Sequence, residues 1–201
     1  MDTLNGLPAH ILLVHAIVVL LPLAAFLLVL IAVWPAARRH LALANAVLSV
    51  VVVVLVPVTT NAGEWLEKHI DRTSLVEDHA ELGDTALFVA VPVAILAILI
   101  WWRGREITAV QAAALEMAGG AGTVADELSD AAVATIVRPN RRTFLAPESV
   151  VVTVVIVVLS VLAAGAAIYD TYRIGDSGAK ATWQGEISTT TTADNPAGDG
   201  N

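Results

Sequence analysis

The residues able to do chemistry in this chain are few, and they gather at the ends of four apolar runs. His10 and His15 open the first run, and Asn61, Gly63 and Glu64 follow the second. His79 and Gly83 open the third, and Gly175, Asp176, Ser177, Gly178 and Lys180 follow the fourth. Runs that alternate in direction bring all of these to one end of a bundle, while the other end holds mostly arginines. Imidazole and carboxylate are ligands for zinc or iron, which makes His10, His15, Glu64, His79 and Asp176 a candidate divalent-metal set. Two imidazoles from facing helices are also what a b-type haem needs, with His15 and His79 as the candidate pair. Gly83 lies four residues after His79, shares its helix face, and admits a flat macrocycle or simply another helix. Glu64 or Asp176 could orient a ligating imidazole.

Spacing limits these options. His10 and His15 are five residues apart, about 140° around a helix, so they do not chelate one ion from a regular helix. His15 lies about 7 Å inside the first run. An ionisable group at that depth points to function, although a hydrogen bond to a neighbouring helix is the plain alternative. His40 and His69 fall in connecting segments and carry no expected role.

The elements that must position these residues follow from composition. The chain has 201 residues, of which 57% are hydrophobic and 15% charged, and its mean hydropathy is +0.75. A water-soluble domain of this size cannot hide so much apolar surface. Runs of about 20 apolar residues span the hydrocarbon of a bilayer. Four qualify, at Ile11–Trp34, Leu41–Val58, Leu82–Trp102 and Ser149–Tyr169. Lipid offers no partner for backbone amides, so even the valine runs at 50–54 and 150–158 are expected to be helical. Pro22, Pro57 and Pro92 fall inside three of the spans, where each bends its helix. The expected fold is therefore an all-α integral membrane four-helix bundle over residues 1–183, followed by a disordered tail at 184–201.

Lys and Arg favour the cytoplasmic side. With both termini outside, the inner segments hold Arg38, Arg39, Arg103, Arg105, Arg138, Arg141 and Arg142, seven of the 11 basic residues. Tryptophans 34, 101 and 102 then mark the inner interface, and Trp65, Tyr169 and Tyr172 the outer one. Residues 35–40 form a short inner turn. Glu64–Ile70 suits a short interfacial helix, and Ser74 with Glu77 matches a capping box, so the third helix starts near Leu75. The long cytoplasmic loop at 103–147 carries a helical repeat broken at Gly119–Gly122, then a weak second helix at 124–137. The chain begins without a basic segment or cleavage site and reads as a retained helix rather than a signal peptide.

Several function classes drop out. The chain has no cysteine and a formal charge of −8, which removes disulfides, thiolate metal sites, iron–sulfur clusters and c-type haem, and disfavours nucleic acid as a partner. No nucleophile–base pair, phosphate loop or zinc helix motif is present. Inverted repeats and charged mid-span residues of the transporter kind are not visible.

The end motifs resemble a bacterial membrane family known only as domain of unknown function 2231. The motifs are Asn5-Gly6-Leu7-Pro8 through His10, Val14-His15, Gly63-Glu64-Trp65-Leu66-Glu67, His79-Ala80-Glu81-Leu82-Gly83 and Arg173-Ile174-Gly175-Asp176-Ser177-Gly178-Ala179-Lys180. They cover roughly residues 1–102 and 148–183. The resemblance implies four helices, a bacterial cytoplasmic membrane, a place near membrane electron transfer and no established activity. Two departures stand out: Asp176 replaces a histidine frequent in the family, and the 103–147 segment looks like an insertion. The expectations are a haem- or metal-binding membrane protein in contact with a redox complex or, alternatively, a structural or accessory subunit without chemistry of its own.

Overall fold

The structure is a computed structural model, and it describes residues 3–4, 7–124 and 149–183. A two-residue antiparallel ladder, β1 (Thr3–Leu4) with β2 (Leu7–Pro8), precedes four helices. These are α1 (Ala9–Val33), α2 (Pro35–Glu67), α3 (Ser74–Val124) and α4 (Val150–Trp183). Each is long and apolar enough to cross a membrane, which makes the chain a multi-pass membrane protein.

Packing follows the chain. α1 lies against α2, α2 against α3, α3 against α4, and α4 closes back on α1; of the diagonals, α1 and α3 make the closer approach. The core is rich in small residues, including Ala24, Ala25, Ala46, Ala90, Ala97, Ala164 and Ala167, packed with a few larger ones such as Leu21, Leu28 and Ile31, while many other large side chains face outward. Phe88 is 79% exposed and Ala97 is 0% exposed. Bundles solvated by lipid pack this way: helix backbones approach through small residues, and bulky apolar groups gain nothing by hiding. Ser49 and Ser160 are buried in the same core and return their hydroxyls to the carbonyls of Asn45 and Ile156, one turn back on their own helices.

The helices outrun the apolar spans. α2 passes Val58 and ends at Glu67, and α4 passes Tyr169 and ends at Trp183. At 1.5 Å per residue these extensions are about 14 and 21 Å long. The expected separate helix at 64–70 is thus the last turns of α2 together with a short connection. At the opposite end, Trp34 alone joins α1 to α2, with Pro35 at the first helical position, where a missing amide hydrogen costs nothing. α3 starts at Ser74, beside the expected Leu75, and runs unbroken through Gly119–Gly122 to Val124. Gly119, Gly120 and Gly122 do not break the helix as expected, although each costs a helix interior about 1 kcal/mol. Arg103 is buried where α3 meets the start of α4, donating from Nη2 to the Ser149 carbonyl (3.1 Å) and the Thr153 hydroxyl (2.8 Å). The expected second helix at 124–137, beyond Val124, the basic residues at 138–142 and the expected tail at 184–201 lie outside the described residues.

Candidate functional site

The expected convergence of polar residues occurs at the end where α1 and α3 begin. His10 lies in the first turn of α1 and His79 in the second turn of α3. Their ring centroids are 6.4 Å apart, with ring planes at 79°. Each ring is held by the helix that follows it in the chain. His10 Nδ1 lies 3.0 Å from the Thr59 carbonyl on α2, and His79 Nδ1 lies 2.9 Å from the Ser177 hydroxyl on α4. In each ring Nδ1 is the nitrogen engaged by the neighbouring helix.

Glycine makes both contacts possible. A Cβ at Gly63 would stand 3.0 Å from His10 Cε1 and Nδ1, and one at Gly178 would stand 3.0 Å from His79 Cε1. Gly83 is different: nothing lies within 4 Å of where its Cβ would be. Its expected place beside His79 is open space rather than a helix contact.

Two cavities share the histidine pair. A small one of about 60 Å³ runs into the bundle between Val14, Ile17, Leu21, Val56 and Ala86. A larger one of about 700 Å³ opens at the helix ends and is lined by His10, His15, Glu64, His79 and Gly83, with Glu67, Glu81 and Asp84. Its volume is in the usual range for small-molecule and cofactor sites. Among the described residues no Lys or Arg lines it.

The sequence-derived candidates therefore separate. His15 lines the larger cavity but is exposed, with Nδ1 turned to the Ile11 carbonyl of its own helix at 2.6 Å. The histidine facing His79 is His10. Glu64 is exposed at the cavity wall. Asp176 does not line the cavity and instead accepts from Lys180 at 2.7 Å on the exposed side of α4. Among the described residues no three His, Asp or Glu side chains are grouped as a metal ion needs. His69 turns back to the Trp65 carbonyl and stacks on the Trp65 ring.

One residue was missed from sequence. Asp170 is 7% exposed on α4, where its Oδ1 lies 2.8 Å from the Thr85 hydroxyl of α3, whose hydrogen it shares with the Leu82 carbonyl at 2.7 Å. Its Oδ2 has no partner among the described residues. The signal is an acid directly after Tyr169, where the expected fourth span ends, and no role was expected for it.

In comparisons with known proteins, no family model, no curated protein and no solved structure matches this chain.

Proposed function

We propose that His10 and His79 of this membrane protein would together hold a metal-centred cofactor, a b-type haem, which would supply one-electron chemistry for membrane electron transfer. The observation that carries this reading is the spacing of the rings. Imidazole nitrogens bind first-row metal ions at about 2.0–2.1 Å, so two rings that share one ion stand no more than roughly 6.5 Å apart, centroid to centroid. The pair stands at 6.4 Å. The donor chemistry fits as well: each ring has Nδ1 occupied by a second partner, the arrangement that usually orients ligating histidines. The open space at Gly83 and the adjoining cavity leave room beside the pair. Bound there, haem would supply one-electron chemistry; the chain's part is to hold the iron and shield one side with apolar residues. His10, Gly63, His79, Ser177 and Gly178 all fall inside the motifs on which the family resemblance rests. The Lys and Arg distribution favours the outer side of the membrane for this end of the bundle, and the family resemblance suggests that the membrane is a bacterial cytoplasmic one.

A second reading has its own observation. The larger cavity is walled by Glu64, Glu67, Glu81 and Asp84, a lining that suits a hydrated divalent cation better than the two propionates of haem. Both readings use the same two histidines, and one experiment divides them. The full chain is purified from haem-replete, metal-replete cells, and its visible spectrum and metal content are recorded. A haem absorption band supports the first reading, and a divalent metal without that band supports the second. Protein with neither rejects both and leaves the accessory-subunit alternative.

A further inference from the structure

We propose that the ends of α2 and α4 are positioning elements that fix both imidazoles in one tautomer, with the proton on Nδ1 and none on Nε2. The responsible groups are Thr59 and Gly63 for His10, and Ser177 and Gly178 for His79. The assignment follows from what each partner can do. A carbonyl oxygen only accepts, so the Thr59 carbonyl at 3.0 Å requires a hydrogen on His10 Nδ1. The Ser177 hydroxyl could act either way; it also lies 2.9 Å from the Ile174 carbonyl, an acceptor that can take its single hydrogen. With the hydrogen there, the hydroxyl accepts from His79 Nδ1. The bond made by one ring nitrogen decides the state of the other, so both Nε2 atoms are proton-free, the form a metal ion requires.

The glycines hold the rings in that position. A Cβ at either glycine would stand only 3.0 Å from Cε1 of the ring it faces, so a methyl group at either place requires that ring to shift. The two hairpins, α1–α2 and α3–α4, thus repeat one device: a histidine on the first helix, with an acceptor and a glycine on the second.

This inference deepens the metal-site reading, yet it can be tested without any metal. The experiment is nitrogen-15 NMR of the full chain, labelled at histidine and held in lipid nanodiscs, at a pH where the imidazoles are neutral. Signals are assigned with His10→Gln and His79→Gln. In the wild type, both residues are expected to show a protonated Nδ1 and a proton-free Nε2. Ser177→Ala should shift His79 toward the opposite tautomer and leave His10 in place, and Ser177→Thr should restore His79. A wild-type spectrum with the proton on Nε2 of either ring overturns the proposal, whether or not the variants fold. So does a His79 signal that ignores Ser177→Ala. If the tautomers are as stated but no metal is ever bound, the positioning role stands and the function above falls.

Discussion

Thr85→Val tests the buried contact between α3 and α4 in the most direct way, because valine keeps the shape of threonine and removes only its hydroxyl. In the native bundle the Thr85 hydroxyl lies 2.8 Å from Asp170 Oδ1 and 2.7 Å from the Leu82 carbonyl, so its one hydrogen is shared between them, while the other Asp170 oxygen has no partner among the described residues. After the substitution both carboxylate oxygens are buried without a donor. In water-soluble proteins, hydrogen bonds to charged groups are worth about 1.5–3 kcal/mol. Inside membrane bundles, polar contacts between helices average about 0.6 and reach about 1.7 kcal/mol, since the unfolded chain also finds partners in lipid. Asp170 sits at the end of the apolar span, between those environments, so a loss of about 1–2 kcal/mol is expected, or roughly 5–30-fold in the folded-to-unfolded ratio. The assay is reversible unfolding in mixed micelles by SDS titration, run as a cycle of Thr85→Val, Asp170→Ala and the double variant. Asp170→Ala removes the stranded carboxylate, so the double variant should be more stable than the summed single losses imply. A coupling energy inside the additivity error of about 0.3–0.5 kcal/mol would refute the contact.

Other outcomes follow from the same geometry. Gly178→Ala is expected to abolish metal or haem binding, because its methyl group meets His79 at 3.0 Å, whereas Gly175→Ala, with nothing within 4 Å, should leave binding intact and stabilise α4 by up to about 1 kcal/mol; metal analysis and SDS titration read the two. Leu28→Ala should cost about 2 kcal/mol, the packing part of a leucine deletion, and Phe88→Ala less than about 0.5, since Leu28 is 0% and Phe88 79% exposed. Equal losses in that pair would mean that Phe88 does not face lipid. Asp176→Ala should leave the bound metal unchanged, because its partner is Lys180 and not the cavity.

The spans could be read from the sequence because hydrocarbon length and backbone satisfaction leave one solution for long apolar runs, valine-rich or not. Apolarity fades at Val58 and Tyr169, however, while the hydrogen-bonded helices continue to Glu67 and Trp183. Nothing in composition marks those extensions, and they are what brings Gly63 and Gly178 up to the imidazoles. The end of the bundle that carries the site was legible in the polar residues, but the rotation of α1 was not. His10 and His15 were known to face about 140° apart, and only packing of α1 against α2, through the Thr59 carbonyl, selects His10 as the partner of His79. Asp170 escaped for a related reason: an acid at the edge of an apolar run looks interfacial until the helix is seen to continue past it.

The central claim is that His10 and His79 hold one metal centre together, and its most direct test is metal stoichiometry per chain. Iron or other metal is counted in purified wild type and in His10→Ala, His79→Ala and His15→Ala. The account expects one metal per chain in the wild type and in His15→Ala, and none in the other two. Retention of metal in His10→Ala, or its loss in His15→Ala alone, would contradict it.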